Sequence, residues 1–338
     1  MASAWMLPVS RPRLLSRLLS PLLSRLPAAT MASSRPRSFS SYLVSPSELH
    51  EALQKSPEQC TCNSTTDTRV VPLCASWFMP NDPRSGLASF RELRIPRARF
   101  FDLEAVSDHR SEYPHMLPSP KTFAEAMSGL GIRREDTVVV YDSHETGIFS
   151  APRVGWTLRV FGHPKVHLLN NFKLWVEQGL PTETGEFYSI ECCQYPIPEL
   201  DENRVASFDE VKHVAKLNKD QSKQDNEARS KGENVQILDA RSHGRWLGSD
   251  PEPRKGLPSG HMPGSINIPY GDVLDPKTKA FLPSEKLRQL FEDKGVDPAS
   301  PVIASCGTGV SACVIETALE AAGYGQPGTR RVYDGSWT

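Results

Sequence analysis

The chain alternates short apolar runs with stretches of helical apolar spacing, and the same order of signals occurs twice. Strands are predicted at 70–73 and 137–141 in the first copy, and at 235–238 and 301–305 in the second. Strands that alternate with helices are typical of βαβ units, which build parallel sheets. We therefore predict an α/β fold of two tandem domains, each a mostly parallel sheet flanked by helices.

The spacing of matching positions supports a duplication. Cys74 and Asp239 each follow the first strand of a copy, and Asp142 and Cys306 each follow the next strand. The two positions are 68 residues apart in the first copy and 67 in the second. A fixed offset of this kind is hard to obtain by chance.

Changes in composition give the domain boundaries. We assign residues 41–185 to a first, non-catalytic domain, 186–205 to a proline-containing linker and 206–338 to a second, catalytic domain. Residues 216–234 are polar, charged and poor in apolar positions, which predicts an exposed insertion.

The first 40 residues differ from the rest of the chain. They contain six arginines among Ser, Leu and Ala, and the first acidic residue is Glu48. This composition is typical of a mitochondrial presequence and predicts the mitochondrial matrix. Met31 offers a second start, which would leave part of the product in the cytosol. No apolar run approaches the ~18 residues of a membrane span, so no membrane association is predicted.

Charge and cysteine content exclude several classes of function. The formal net charge of -1 and the lack of a long basic block give no attraction to nucleic acid. The seven cysteines form no C-x-x-C pair, so neither a disulfide framework nor a zinc site fits. We predict no metal and reduced thiols.

The two copies differ where chemistry is expected. The first places Asp142 after its second strand, whereas the second places Cys306 there. After this cysteine the loop continues with Gly307, Thr308, Gly309, Val310 and Ser311. Glycines permit a tight loop whose N–H groups hold a thiolate, the nucleophilic form of cysteine.

A helix is predicted from Val310 to Ala322, with Gly323 as its C-cap. This places Cys306 at the positive end of a helix dipole. The alternative, a small core cysteine at a strand end, is disfavoured by the Gly-x-Gly pattern that follows it. Cys313 is assigned to packing.

These motifs resemble the two-domain rhodanese superfamily, from about Val70 to Trp337. The loop 306–311 matches the Cys-Gly-Ser/Thr-Gly-Val-Thr/Ser pattern of its mercaptopyruvate branch. The resemblance implies that Cys306 takes a sulfane sulfur from 3-mercaptopyruvate as a persulfide, with release of pyruvate. It further implies transfer to thioredoxin, another small thiol or cyanide, without a metal or organic cofactor.

The resemblance also implies roles for residues outside the loop. Arg245 and Arg254 would bind the substrate carboxylate and keto oxygen, and Arg241 would be structural. Simple surface or structural ion pairs are the alternative for both substrate-binding arginines. Glu104, His115 and Thr308 stand at the positions of an Asp-His-Ser relay.

Three alternative functions are weighed against this one. Thiosulfate:cyanide sulfurtransferases carry basic residues after the nucleophile, whereas Gly307, Thr308 and Gly309 are uncharged. A cysteine phosphatase would need an arginine at the far end of the loop, which 306–313 lacks. A non-catalytic sulfur carrier or binding module would not need Cys306 together with two spaced arginines.

Overall fold

The chain forms two five-stranded sheets, one in each half of the sequence. The computed structural model describes residues 39–56, 69–187, 192–221, 235–326 and 328–338, without the side chains of 220 and 221. The described residues form one compact unit. The predicted presequence falls almost entirely outside the described residues and stays a prediction.

All the described strands pair in parallel, and the two sheets share one strand order. The first sheet has the order β1-β5-β4-β2-β3, with strands β1 (Leu43–Val44), β2 (Val70–Cys74), β3 (Arg99–Phe100), β4 (Thr137–Tyr141) and β5 (Val166–Leu169). The second has the order β6-β10-β9-β7-β8, with strands β6 (Val205–Ala206), β7 (Gln236–Asp239), β8 (Ile266–Asn267), β9 (Val302–Ser305) and β10 (Arg330–Tyr333). The predicted fold class is confirmed.

Helices connect these strands. In chain order they are α1 (Pro46–Lys55), α2 (Gly86–Glu92), α3 (Pro120–Gly129), α4 (Ala151–Val160), α5 (Phe172–Glu177), α6 (Phe208–Gln221), α7 (His243–Leu247), α8 (Ser284–Asp293) and α9 (Ala312–Ala322). Short 3-10 turns lie at Glu202–Arg204 and Tyr270–Val273. No helix in the described ranges is long and apolar enough to cross a membrane.

Strand β4 illustrates why the apolar runs become central strands. Val138, Val139 and Val140 are fully buried, and their branched side chains suit the extended backbone of a sheet covered on both faces. The observed β4 has the predicted bounds. The predicted strands 70–73 and 301–305 differ from β2 and β9 by one residue at one end, and the predicted strand 235–238 is shifted by one residue at both ends relative to β7.

Two predicted boundaries differ from the structure. Helix α9 begins at Ala312 rather than Val310 because the N–H groups of Cys313 and Val314 bond three residues back, to the carbonyls of Val310 and Ser311, which makes these two residues a turn before the α-helix. Cys306 is therefore separated from α9 by a loop. The predicted insertion at 216–234 begins as the last turns of α6, and residues 222–234 lie outside the described part. The domain boundaries stay predictions.

The two sheets meet at a seam formed by α4 and α9, which pack against each other. Val154 and Leu158 of α4, and Val314 and Ala318 of α9, are fully buried within one core that spans both halves. Helix α4 is buried over nearly its whole circumference. The seam therefore brings residues of the first half close to the loop that carries Cys306.

Candidate active site

Cys306 follows β9, which lies in the middle of the second sheet. The carboxyl ends of parallel strands are where α/β proteins bind ligands. Cys306 is only 2% exposed, and it forms part of the wall of a cavity of about 220 Å³. A sulfur atom thus faces a cavity that can hold a small molecule.

Most of the predicted site residues line this cavity, namely Arg245, Arg254, Cys306, Gly307, Thr308, Val310 and Ser311. Gly309, His115 and Glu104 are described but lie outside the lining. Trp77 and Phe149 complete the lining from the first half of the chain, with Tyr270 from the second. Their rings form a row, with Trp77 stacked 5.9 Å from Phe149 and Phe149 5.2 Å from Tyr270. Both halves of the chain therefore build the cavity.

The two glycines of the loop allow close approach of other groups. A Cβ on Gly307 would lie 2.9 Å from Nη2 of Arg245. A Cβ on Gly309 would lie 2.6 Å from Nη1 of Arg153 and 2.7 Å from the carbonyl oxygen of Asp334. Any larger residue at Gly309 would therefore have to displace the buried Arg153.

Ser336 fixes the shape of the loop from behind. Its hydroxyl accepts the N–H groups of Cys306 and Gly309, each at 3.0 Å, and lies 3.8 Å from the sulfur of Cys306. It also donates to the carbonyl of Tyr333 at 3.0 Å.

Four other amides of this loop lack a hydrogen-bond partner in the described part of the chain. The amides of Gly307, Thr308, Val310 and Ser311 make no hydrogen bond to the described part of the chain. They remain free to bind an anion.

In the corresponding loop of the first half, backbone amides bind an anion, the carboxylate of Asp142. The Asp142 carboxylate accepts the N–H groups of Phe149 and Ala151 at 2.8 and 2.9 Å and the Ser150 hydroxyl at 2.5 Å. Burial raises the pKa of Asp142 to about 6, although these hydrogen bonds oppose the rise. In the second half no carboxylate occupies this position, and Cys306 stands there instead.

The two predicted substrate arginines have different surroundings. Glu252 accepts from Nε and Nη2 of Arg245, the latter at 2.5 Å, and also from Arg241 at 2.8 Å. Arg254 makes no hydrogen bond or ion pair with the described residues, and burial together with Arg245 lowers its pKa. Arg241 is buried and pairs with Asp239, as expected for a structural arginine. Arg254 is therefore the guanidinium in the cavity wall that lacks a carboxylate partner.

The relay residues are only partly joined. Nδ1 of His115 lies 3.2 Å from the hydroxyl of Thr308. The Glu104 carboxylate accepts from the indole of Trp77 at 2.9 Å, and no hydrogen bond joins it to His115 within the described ranges. Trp77 instead stands edge-to-face against His115, with ring centroids 4.7 Å apart. Within the described residues, Glu104 is thus connected to His115 through contacts with Trp77 and not by a direct hydrogen bond.

Burial, with smaller contributions from Arg153 and Arg254, lowers the pKa of His115 to about 3. The unfolded chain protonates this residue near pH 6.5, so it binds more protons than the folded chain below that pH. The stability that neutral His115 contributes is therefore lost as pH falls from about 6.5 towards 3. We expect His115→Gln to lose less unfolding free energy between pH 7 and 4 than the wild type, measured by urea denaturation.

Substitution at the exposed His109 provides the control. His109→Gln should retain the full acid-induced loss of stability. An equal loss in His115→Gln and wild type would mean that His115 is accessible to protons in the folded state.

Sequence reasoning did not identify Arg153 and Asp334 as site residues. Arg153 is 1% exposed and forms an ion pair with Asp334 at 2.5 Å. It also donates to the carbonyls of His115 at 2.6 Å and Gly309 at 3.3 Å. Burial opposes its charge, yet Asp334 and nearby thiols hold the pKa of Arg153 above its usual range. The pair joins His115, the loop after Cys306 and the end of β10.

Ser336, which sequence reasoning also missed, belongs to the same constellation, two residues after Asp334. The only sequence signal was that Asp334 and Ser336 lie within the range, from about Val70 to Trp337, over which the chain resembles the family. That match carried no information about which residues they contact. The ion pair of Asp334, for example, is with Arg153, which lies 181 positions earlier in the sequence.

The other described cysteines do not face this cavity. Cys313 is fully buried, and its thiol donates to the carbonyl of Gly309 at 3.3 Å. Burial raises the pKa of Cys313 well above its ordinary value and that of Cys74 to about 12. Both observations agree with packing roles.

The Rhodanese-like domain family matches residues 222–338. Thiosulfate sulfurtransferase TUM1 of Saccharomyces cerevisiae is 41% identical over 278 residues, covering 80% of this chain and 88% of that protein. A probable 3-mercaptopyruvate sulfurtransferase of Schizosaccharomyces pombe is 40% identical over 272 residues, covering 80% and 86%. The crystal structure of yeast Tum1 superposes with a TM-score of 0.75 at 37% identity, covering 88% of this chain and 94% of that one.

Proposed function

Because this chain belongs to the rhodanese-like family of thiosulfate and 3-mercaptopyruvate sulfurtransferases, we propose that its donor is 3-mercaptopyruvate and its sulfur carrier is Cys306. The observation that carries the proposal is the cavity in which Cys306 faces Arg254, a guanidinium without a carboxylate partner in the described structure. The enzyme is a sulfurtransferase. Its donor, acceptor and persulfide are the proposed parts.

The first half-reaction is a nucleophilic attack on sulfur. The Cys306 thiolate attacks the sulfur of 3-mercaptopyruvate, so an S–S bond forms and the substrate C–S bond breaks. The bonding electron pair leaves with the carbon as pyruvate enolate, which takes a proton from water. Cys306 then carries the outer sulfur as a persulfide, bound by the free amides of the loop.

The second half-reaction releases the sulfur. A thiolate from thioredoxin or a small thiol, or cyanide, attacks the outer sulfur of the persulfide. The S–S bond breaks and its electron pair returns to Cys306 as thiolate. The residues of this site suffice for both steps, and the proposal includes no metal or organic cofactor.

Charge favours a monoanionic donor. The cluster beside the cavity has three guanidiniums, from Arg241, Arg245 and Arg254, and two carboxylates, from Asp239 and Glu252. Its formal charge of +1 balances the single carboxylate of 3-mercaptopyruvate, whereas thiosulfate is a dianion. Arg254 has its planar donors free to bind a carboxylate bidentately.

The loop geometry supports storage of an anionic sulfur. In the first half, the amides after β4 bind the carboxylate of Asp142. In the second half, the equivalent strand end carries Cys306, and the loop amides have no carboxylate to bind. A thiolate or persulfide at Cys306 would take the place of that anion.

We expect kcat/KM for 3-mercaptopyruvate to exceed that for thiosulfate by at least about 10-fold. Arg254→Gln should lower kcat/KM for 3-mercaptopyruvate by about 10- to 100-fold, since a hydrogen bond to a charged group contributes about 1.5–3 kcal/mol. Pyruvate and sulfite release measure the two reactions. Because Arg254 has no ion pair with the described residues to lose, the thermal midpoint of the Arg254→Gln variant should stay near that of the wild type.

Lys255→Gln is the matched control, because Lys255 is the next residue, is exposed and does not line the cavity. It should leave both rates near the wild-type values. Higher kcat/KM for thiosulfate would replace the proposal with a thiosulfate:cyanide sulfurtransferase. Transfer from neither donor would favour a non-catalytic sulfur carrier.

The cellular setting is also a proposal. The arginine-rich residues 1–40 support import into the mitochondrial matrix, and Met31 supports a shorter cytosolic form. Residues 41–185 would then serve as a non-catalytic domain that supplies Trp77, Phe149 and His115 to the catalytic domain at 206–338.

A further inference from the structure

A second polar site lies at the seam between α4 and α9, apart from the cavity that contains Cys306. Two adjoining cavities of about 500 and 250 Å³ share the residues Arg159, Asp201, Arg204 and Glu320 in their walls. Neither shares a lining residue with the cavity of Cys306. We call the smaller one the seam cavity; its charged residues are Arg159, Asp201, Arg204, Glu316, Glu320 and Arg330.

The charges of the seam cavity balance. Its three guanidiniums face three carboxylates, so it attracts neither anions nor cations as a class. Two of the guanidiniums are paired closely, Arg159 with Glu320 at 2.8 Å and Arg204 with Asp201 at 3.1 Å. The third carboxylate and the third guanidinium are paired much less closely.

Glu316 and Arg330 form the incomplete pair. Glu316 is 3% exposed, lines the cavity and makes no hydrogen bond to the described residues. Its nearest cationic atom is Nε of Arg330 at 4.0 Å, and that Nε is buried without a hydrogen-bond partner. Burial raises the pKa of Glu316, with Arg159 opposing and Glu320 adding to the rise. The Glu316 carboxylate therefore lines the cavity without a hydrogen-bond partner among the described residues. The Arg330 guanidinium lines the same cavity, where its Nη1 donates to the carbonyl of Tyr324 at 3.3 Å and its Nη2 lies 3.9 Å from Glu320.

We propose that the seam cavity binds a small α-amino acid in its zwitterionic form. Its ammonium group would donate to Glu316, and its carboxylate would accept from Arg330 with Arg204 nearby. A zwitterion would give the Glu316 carboxylate and the loosely paired Nη2 of Arg330 a closer partner each, without changing the net charge of the cavity. The volume is more than about tenfold what a single water needs, so the cavity has room for several non-hydrogen atoms.

Because the site is formed by elements of both halves of the chain, ligand binding there can be measured as a change in thermal stability. Glu316 lies on α9, which follows the catalytic loop, and Arg159 lies on α4 of the first half. A ligand that bridges Arg330 and Glu316 would bind the folded chain and not the unfolded one. Its binding therefore raises the thermal midpoint.

L-Serine is a suitable probe because it has no thiol that could accept sulfur from Cys306. We expect calorimetric titration of the full chain to give a saturable signal with Kd below about 10 mM. Acetate and ethylammonium each satisfy only one of the two groups. Each should bind at least 10-fold more weakly than L-serine.

Variants assign the signal to this cavity. Glu316→Gln keeps the shape of the side chain and should weaken serine binding at least 10-fold while leaving sulfur transfer near the wild-type rate. Arg330→Gln tests the other end of the ligand if the first variant folds poorly. Arg254→Gln, in the Cys306 cavity, should retain serine binding.

Two results would overturn the proposal. Absence of a saturable serine signal would mean that ordered water alone fills the seam cavity. Loss of serine binding in Arg254→Gln, with retention in Glu316→Gln, would assign the signal to the Cys306 cavity. Neither result depends on which sulfur donor the enzyme uses.

Discussion

Cys306→Ser should abolish pyruvate release from 3-mercaptopyruvate, with turnover falling on the order of 10⁴-fold or more, as for removal of other enzyme nucleophiles. A serine hydroxyl is not ionised near neutral pH and cannot carry a sulfane sulfur. Cys306 is the one described cysteine that lines the cavity, so no other thiol among the described residues is placed to replace it. Because the two side chains have similar shapes, the fold should persist.

Intact-mass spectrometry gives the direct measurement. Wild-type protein treated with 3-mercaptopyruvate should gain one sulfur atom, and Cys306→Ser should gain none. Cys313→Ser is the matched control, because Cys313 is fully buried and a serine there can still donate to the carbonyl of Gly309. A sulfur gain in Cys306→Ser would disprove the assignment of the carrier.

Arg153→Met should lower the free energy of unfolding by about 3–5 kcal/mol, the cost of leaving one partner of a buried ion pair without the other. Asp334 is 4% exposed and would lose its only ion-pair partner among the described residues. The carbonyls of His115 and Gly309 would lose a donor as well. Urea denaturation monitored by tryptophan fluorescence measures the loss.

The same substitution should also impair catalysis, because Arg153 positions Gly309 in the loop and the backbone of His115. Arg153→Met with Asp334→Asn removes both charges and should recover much of the lost stability. Sulfur transfer should stay impaired in this double variant, mainly through kcat, since neither residue contacts the donor cavity. Wild-type stability of Arg153→Met would mean that the ion pair contributes nothing to the fold. Full recovery of kcat in the double variant would mean that Arg153 has only a stabilising role.

Local patterns were sufficient to predict the scaffold. The run at 137–141 gave β4 with the observed bounds, because three consecutive valines suit only a strand buried on both faces. The glycines after Cys306 correctly predicted a tight loop, because only glycine tolerates the approach of Arg153 to position 309. The first residue of α9 was placed two positions early, since apolar spacing does not distinguish the opening turn at Val310 and Ser311 from the α-helix that follows.

The sequence by itself determined two parallel sheets and the tight glycine loop after Cys306, because strands and loops form from residues close together along the chain. Its resemblance to the rhodanese superfamily added two candidate substrate arginines. Only the tertiary structure decided that Arg254 has no carboxylate partner among the described residues while Glu252 pairs with Arg245. It also decided that Glu104 accepts from Trp77 and that Ser336 supports the loop. The tertiary structure also brought Arg153 to Asp334 across the seam. Which charges and hydrogen-bonding groups meet is set by distances in three dimensions, and the packing of α4 against α9 fixes those distances.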